Sequence, residues 1–458
     1  MTESGKTCGT TSLKNSRIPV RIEKIVNGGA GLGRLEDGRV VLVGKVLPGE
    51  KVLIAITEDK GRYLSAEAAV IEEAHPARID PPCPWYGRCG GCDLQHCDYG
   101  QQLAIKTAIL RDLYRRQFPE APAGVALVRD TLPSPAPFGY RQRIRLQVDA
   151  NGRAGFLGHR SHRIVPVGYC LVAKDELNTV LAGLAQDPSC TRLLSNCKEF
   201  ELLFNPISSG VVCLFHLSRR PRPTDIRLAE ELTGRIPLIE RVFFQGADFP
   251  LASPFGNRES PQTKALQMLL PPFGSHNTPL TLAWEVGGFC QINLQQNERL
   301  IRQVLNVCPW RREDSVLELF CGMGNFSIPL AARVASFHGI EGQGSAIRSA
   351  RHNSMNAGLT TATFEKAPIH EACRRLAGEG RVFDCVILDP PRQGVPGLAR
   401  ELAALTGRNL VYISCDPATL CRDLSALTEA GLAILDIQPL DMFPQTHHIE
   451  TLVLLEKN

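Results

Sequence analysis

The sequence predicts an α/β protein in which an open, mostly parallel β-sheet follows a small β-barrel and a mixed α+β region. Short strands separated by turns near the N-terminus, a cysteine cluster after them, and strands alternating with helices from residue 286 carry this prediction. At about 150 residues per domain, 458 residues suffice for three such parts. We divide the chain into a flexible segment 1–16, a barrel 17–75, a central domain 76–285 and a C-terminal domain 286–458.

The composition is that of an ordinary globular protein, with 43% hydrophobic and 21% charged residues. No apolar run approaches the roughly 18 residues of a membrane span, and the polar N-terminus lacks the apolar region of a signal peptide. Sixteen cysteines in such a chain indicate reduced thiols, a metal centre or catalysis rather than disulfides. We therefore expect a cytoplasmic protein with no membrane contact. The net charge of +4 shows only that an acidic partner is not excluded.

The barrel is predicted from short strands at 21–26, 39–43, 51–56 and 63–71, separated by glycine- and proline-containing turns. Basic residues exceed acidic ones here, so an OB-like barrel that grips RNA and a purely structural barrel both remain open. In the central region a helix is predicted at 101–117 and a strand at 141–148. Arg141, Arg143 and Arg145 would share one face of that strand, which favours a phosphate-binding surface over a merely solvated face.

Three cysteines lie close together in the spacing Cys83-x5-Cys89-x2-Cys92. Zinc and an iron–sulfur cluster both accept thiolate ligands, and the spacing does not choose between them. A fourth ligand is needed, for which Cys97 and Cys170 are candidates.

A nucleotide-type site is predicted where a strand at 315–320 runs into the turn Gly322-Met-Gly324 and a helix. Glu341 ends the next strand, where its carboxylate can bind ribose hydroxyls. Ser327 occupies the third glycine position of a dinucleotide fingerprint. This departure favours S-adenosylmethionine, which has no pyrophosphate, over a dinucleotide.

Two further strands end in Asp389-Pro-Pro-Arg392 and in Cys415-Asp-Pro. Arg392 replaces the aromatic residue found in enzymes that methylate exocyclic amines, which argues against that reaction. Cys415 comes last in its strand and before a helix, whose N-terminus would favour the thiolate, so we predict a nucleophile. In the tail, His447-His448-Ile-Glu450 lacks a typical zinc spacing, and Glu450 is better used as a carboxylate beside Cys415.

Together these motifs resemble the RNA 5-methyluridine methyltransferase family, especially its 23S ribosomal RNA uracil-5 members. The resemblance spans nearly the whole chain and includes the barrel, the cysteine cluster, Glu-Leu-Phe-Cys-Gly-Met-Gly-Asn-Phe-Ser, Asp-Pro-Pro-Arg, Ser-Cys-Asp-Pro and His-x-Glu-Thr. It implies a Rossmann-like S-adenosylmethionine methyltransferase domain, an N-terminal OB-like (TRAM) barrel and a central α+β domain with an iron–sulfur cluster.

The resemblance also implies site residues. A 4Fe-4S cluster would be held by Cys83, Cys89, Cys92 and Cys170. S-adenosylmethionine would be contacted by Gln291, Phe320, Gly322, Gly324, Asn325, Glu341 and Asp389. The stretch near 101–130 would pack on the catalytic domain. Pro368 stands where relatives often have a polar residue such as Asn, so no side-chain contact to adenine is carried over there.

The chemistry implied is methylation of uracil at C5. A thiolate that adds to C6 makes C5 nucleophilic enough to take a methyl group, and a base then removes the C5 proton. Cys415 fits the first role and Glu450 the second. The target base must be unstacked, which favours an RNA loop, and we expect a monomer acting on 23S ribosomal RNA. A tRNA uracil-5 methyltransferase and a non-catalytic iron–sulfur RNA-binding protein are the alternatives.

Overall fold

The computed structural model describes residues 17–120, 122–159, 161–254, 264–273 and 278–458. The segment 1–16, predicted to be flexible, lies outside these residues. Among the described helices, none is long and apolar enough to cross a membrane.

The N-terminal strands close into a barrel in the order β1-β2-β3-β5-β4, which confirms the barrel prediction. Alternate residues point inward, as period-two burial requires. Gly31 and Gly33 belong to a strand that the sequence reading missed, and a Cβ at Gly31 would lie 2.3 Å from Val46 Cγ2. The strands are β1 Ile18–Ile25, β2 Gly31–Arg34, β3 Val40–Gly44, β4 Lys51–Asp59 and β5 Leu64–Glu73.

The central region is built on a seven-stranded sheet of order β12-β11-β10-β9-β6-β7-β8, antiparallel except between β10 and β11. Helices α2, α3 and α4 pack on it around one apolar core. The elements are α1 Tyr99–Gln117, a 3-10 helix Pro122–Leu127, β6 Arg143–Val148, β7 Ala154–Leu157, β8 Ile164–Val165, α2 Asp175–Gln186, α3 Pro188–Leu194, β9 Cys197–Phe204, β10 Val211–Leu217, α4 Pro223–Arg235, β11 Ile239–Gly246, β12 Phe249–Ala252, and the hairpin β13 Ala265–Leu270 with β14 Leu280–Glu285.

The predicted basic strand is wrong in its proposed role. Arg141 precedes β6, while Arg143 and Arg145 both pair with the fully buried Glu201 of neighbouring β9. Arg145 also lies 3.4 Å from Glu199. Because the neutralising acids come from a strand more than 50 residues away, the local pattern could not reveal them.

The C-terminal region is a seven-stranded sheet of order β17-β16-β15-β18-β19-β21-β20. The first five strands in this order are parallel, and β21 runs antiparallel to both of its neighbours, β19 and β20. Apolar cores cover both of its faces. The elements are α5 Leu294–Val307, β15 Ser315–Leu319, α6 Ser327–Ala331, β16 Ser336–Glu341, α7 Gly344–Asn356, β17 Ala362–Lys366, α8 Ile369–Gly378, β18 Phe383–Leu388, α9 Ala399–Leu405, β19 Thr406–Ser414, α10 Pro417–Glu429, β20 Leu432–Leu440 and β21 Glu450–Lys457.

Strand β15 lies between β16 and β18, and from β15 the strand order proceeds outward in both directions. Ligands of such sheets bind at the carboxyl edge beside this switch in direction. Helix α1, which precedes the central sheet in the chain, packs against the C-terminal region. Its residues Leu110 and Tyr114 belong to the apolar core beneath α10. Val128 bridges to Ile437 of β20. The stretch that precedes the central sheet therefore helps to cover the C-terminal one.

Candidate active site

A cavity of about 630 Å³ opens at the carboxyl edge of the C-terminal sheet. Eight of the nine residues predicted for catalysis and cofactor binding line it, namely Gln291, Phe320, Gly322, Asn325, Glu341, Asp389, Cys415 and Glu450. Gly324 does not line the cavity. Its φ of +91° shapes the turn instead, and a Cβ there would lie 2.9 Å from Ile328 Cγ1.

The turn after β15 is held in a conformation that costs free energy. Phe320 has a φ of 61°, a left-handed conformation that costs a residue other than glycine about 1–3 kcal/mol. The turn directs the amide of Gly322 at Glu341, whose Oε2 accepts from it at 3.2 Å, while Oε1 accepts from Gln343 N at 2.7 Å. Glu341 is thus fixed at the cavity wall, and the second lone pair of each oxygen is available to a ligand.

Asn325 is fixed by a reciprocal pair of amide hydrogen bonds with Asn297 of α5, at 2.8 and 2.9 Å. Pro368 is the residue that precedes α8, and the next residue, Ile369, lines the cavity. This part of the wall is therefore apolar.

The thiol of Cys415 is not activated by the helix that follows it, and this expectation was wrong. The carboxylate of Asp416 caps α10 and accepts from the amides of Ala418 and Thr419 at 3.1 and 2.9 Å, so these donors are already used. The pKa of Cys415 is raised to about 12, mainly by burial and also by the nearby Glu450 and Asp389, against the opposing charge of Arg392.

Two buried carboxyl groups face the same cavity. Glu450 opens β21, only 3% of its surface is exposed, and burial together with Asp389 raises its pKa well above the usual range. Burial also raises the pKa of Asp389 to about 7. Both groups are therefore stronger proton acceptors than ordinary carboxylates.

The sequence reading missed Glu318 and His448 as cavity residues. Glu318 accepts from the Ser327 hydroxyl, and its Oε1 has no partner among the described residues. Burial raises its pKa to about 8. A carboxyl group in the middle of an apolar parallel strand was the available signal, since such strands are normally apolar throughout.

His448 lines the cavity with its ring set edge-on to Phe443, at 5.7 Å between centroids. Burial lowers its pKa to about 4, so the imidazole is neutral near pH 7. Its only sequence signal was the tail motif around Glu450.

Cys415 also borders a smaller cavity of about 200 Å³, which extends to the barrel turn at Asn27 and Gly28. Arg392, His447 and His448 lie on its wall. The position of Cys415 is therefore approached both from the sheet edge and from the barrel.

The cysteine cluster surrounds a separate cavity of about 50 Å³, lined by Cys83, Cys89, Cys92 and Cys170. Cys97 is not at this cavity. It is fully buried, and its thiol donates to Leu94 O. Of the two candidates for a fourth ligand, the fold brings Cys170 to the other three cysteines.

In the part of the chain that the structure describes, Glu199, Glu201 and His216 form the one group of possible ligands whose atoms all lie within 4.8 Å of one another. Arg143 and Arg145 already neutralise Glu201, so this group is an ion-pair network.

The doubly wound sheet, the glycine turn with Glu341, and a cysteine and a carboxyl group at one cavity define a methyltransferase that uses S-adenosylmethionine. The tRNA (Uracil-5-)-methyltransferase family model matches residues 282–458, and the TRAM domain model matches residues 12–69. The chain belongs to the RNA (uracil-5-)-methyltransferase family.

Two relatives match along the whole chain. The 23S rRNA (uracil(1939)-C(5))-methyltransferase RlmD of Pseudomonas aeruginosa is 34% identical, covering 99% of this chain and 97% of the relative. The enzyme of the same name from Klebsiella pneumoniae is 33% identical and covers 96% of each chain. The crystal structure of Pyrococcus abyssi tRNA (uracil-54, C5)-methyltransferase with S-adenosyl-L-homocysteine has a TM-score of 0.69 at 24% identity, covering 95% of this chain and 100% of that one, and so shares the fold.

Proposed function

We propose that this protein methylates C5 of a uridine in 23S ribosomal RNA, with Cys415 as the nucleophile and Glu450 as the base. The observation that carries the proposal is that both side chains lie at one buried cavity with the residues assigned to S-adenosylmethionine. A binding protein without catalytic activity has no use for this combination.

The cavity fits a cationic cofactor because Glu318, Glu341 and Asp389 line a largely apolar space. Glu341 would bind the ribose hydroxyls, and Gln291, Phe320, Gly322, Asn325 and Asp389 would complete the contacts. When bound, S-adenosylmethionine supplies a methyl group on a positively charged sulfur. That charge favours ionisation of the buried carboxyl groups and of the Cys415 thiol.

In the reaction, the Cys415 thiol passes its proton to water and its sulfur adds to C6 of uracil, which places the electron pair of the C5–C6 double bond at C5. C5 would then take the methyl group, and the cofactor would leave as the neutral thioether. Glu450 then takes the C5 proton, and the released electron pair re-forms the double bond as the sulfur leaves C6. Glu450 must be ionised for this step, and its raised pKa then makes it a stronger proton acceptor than an ordinary carboxylate.

Ribosomal RNA is favoured as the substrate because the full-length relatives act on 23S rRNA. The cavity between Cys415 and the barrel gives the nucleotide a route to the thiol that leaves the cofactor cavity free. A transfer RNA remains the second candidate because the family model that matches 282–458 carries a tRNA description.

The test is to map 5-methyluridine in RNA from a strain that lacks the gene. We expect one uridine of 23S rRNA to lose its methyl group and to regain it with the wild-type gene but not with Cys415→Ala. Loss of the mark from transfer RNA, with 23S rRNA unchanged, would reassign the substrate.

We also propose that a 4Fe-4S cluster is held by Cys83, Cys89, Cys92 and Cys170. The four cysteines line one cavity. Arg141 lines the same cavity, and its Nε is buried without a partner in the described chain, which suits a negatively charged thiolate cluster. Such a cluster would fix the loop 83–92 to the residues before α2.

A further inference from the structure

The segment 441–449 joins β20 to β21 and carries Phe443 and His448 to the active-site cavity before Glu450 begins β21. It forms neither helix nor strand. Its position, and with it the direction in which Glu450 enters the cavity, is therefore set by contacts with other parts of the chain. We call it the catalytic tail.

Helix α1 supplies the first set of contacts. Lys106 Nζ donates to Asp441 Oδ1 at 2.5 Å and to Phe443 O at 3.1 Å. The amide of Gln102 exchanges two hydrogen bonds with Gln445, each of 3.0 Å. These contacts are buried, and they fix the first half of the catalytic tail.

The cysteine loop supplies the second set. Asp93 directly follows Cys92, and the amides of Asp93 and Leu94 both donate to Gln445 O at 3.0 Å. Asp93 Oδ2 also pairs with His447 Nδ1. The loop thus contacts both main chain and side chain of the catalytic tail.

His447 lies where three parts of the molecule meet. Its ring lies 4.4 Å from that of His448, centroid to centroid. On the barrel side, Gly29 has a φ of +79°, and a Cβ there would lie 3.0 Å from His447 Cβ. With Asp93 on one side and the barrel on another, the His447 ring has little room to move.

We propose that the Asp93–His447 pair is a positioning contact that ties the cysteine loop to the catalytic tail and holds His448 and Glu450 in place for the C5 proton. This inference rests on the proposed function. Asp93 lines neither the cofactor cavity nor the smaller cavity beside Cys415. Its loss therefore affects the step that depends on Glu450 more than the addition of Cys415, which lies on a different element. A misplacement of about 1 Å at a reacting group is enough to slow a step by on the order of a hundredfold.

The test separates formation of the protein–RNA adduct from its breakdown. With labelled S-adenosylmethionine and target RNA, we expect Asp93→Ala to form the labelled adduct at the wild-type rate and to release methylated RNA at least about tenfold more slowly. His447→Ala should slow release by a similar factor, measured on the adduct once it has formed. The double variant should be no slower than either single variant, because both remove one contact. Asp93→Asn keeps an acceptor for His447 and should restore most of the release rate.

Controls separate positioning from general damage. His338→Ala and Glu365→Ala break a comparable pair, 3.3 Å apart between β16 and β17, and should leave both rates unchanged. His447→Ala should keep the iron content of the wild type. If Asp93→Ala does not fold, the release rate of His447→Ala, measured on the adduct already formed, carries the test.

Equal slowing of adduct formation and release in Asp93→Ala would overturn the inference, as would release at the wild-type rate in either variant. A wild-type enzyme that turns over without any adduct would instead remove the proposed reaction scheme, so the two failures are distinguishable.

Discussion

Glu318 is a buried acidic side chain in a parallel strand, where side chains are normally apolar. Only 1% of its surface is exposed, one oxygen is bonded to Ser327, and the other has no partner in the described residues. Because burial raises its pKa to about 8, the folded protein holds a proton on Glu318 that the unfolded chain releases near the ordinary value of 4.5. The stability from this group is therefore complete below about pH 4.5 and is lost as the pH rises through about 8.

We predict that Glu318→Gln changes how stability depends on pH. Relative to the wild type, the variant should become more stable between pH 5 and pH 8, by up to about 1.4 kcal/mol per pH unit. Urea unfolding at several pH values measures this difference. The exposed Glu371→Gln should show no such trend, and a pH-independent difference for Glu318→Gln would contradict the assignment.

Single residues at strand ends could be predicted from the sequence because the carboxyl ends of parallel strands meet at one edge. Glu341, Asp389 and Cys415 were found in this way. The protonation state of the Cys415 thiol could not be predicted from the sequence. It depends on Asp416, which occupies the helix amides, and on the nearby carboxyl groups of Glu450 and Asp389.

Among the elements, the sequence predicted those with clear periodicity, such as β18 and α10. It missed β2, whose glycines give no alternation, and the five-residue β17. It also missed α8, although the buried residues of this helix, Ile369, Ala372, Cys373 and Leu376, recur at helical spacing. The acids of β9 that neutralise Arg143 could not be predicted either, because strand pairing across the central sheet brings them together.

Helix α1 depends on one buried ion pair for its contact with the catalytic tail. Both Lys106 and Asp441 are 0% exposed. We predict that Lys106→Met destabilises the protein by about 3–5 kcal/mol, because it leaves the Asp441 charge buried and unpaired. The double variant Lys106→Met with Asp441→Leu should recover most of this loss, as measured by urea unfolding.

A second lysine contact with α1 serves as the control. Lys24 lies 2.7 Å from Asp112, but its side chain is 42% exposed, so Lys24→Met should cost at most about 1 kcal/mol. Equal losses of unfolding free energy for Lys24→Met and Lys106→Met would contradict the prediction that burial makes the Lys106–Asp441 pair the more important contact.

At the scale of the whole molecule, the barrel, the cysteine loop and α1 all converge on the catalytic tail. The sequence motifs predicted these parts separately but not the contacts between them. His447 and Gln445 contact residues more than 300 positions earlier in the chain. The loop that carries the cysteine cluster thus directly contacts the catalytic tail, whose residues Phe443 and His448 line the active-site cavity.

The cluster proposal predicts that anaerobically purified protein contains iron and sulfide and absorbs as a brown iron–sulfur protein. Cys170→Ser should lose the iron, whereas Cys97→Ser should keep it because Cys97 does not line the cavity and its thiol donates to Leu94 O. Zinc in place of iron, or the opposite behaviour of the two variants, would refute the ligand assignment.

The most direct test of the catalytic account follows one labelled methyl group on a denaturing gel. Glu450→Gln, incubated with target RNA and labelled S-adenosylmethionine, should accumulate a slow-migrating protein–RNA adduct that carries the label, because the C5 proton can no longer be removed. Cys415→Ala should give neither adduct nor product, and Glu456→Gln, an exposed change on the same strand, should turn over normally. Full turnover by Glu450→Gln, or an adduct that survives in Cys415→Ala, would contradict the account.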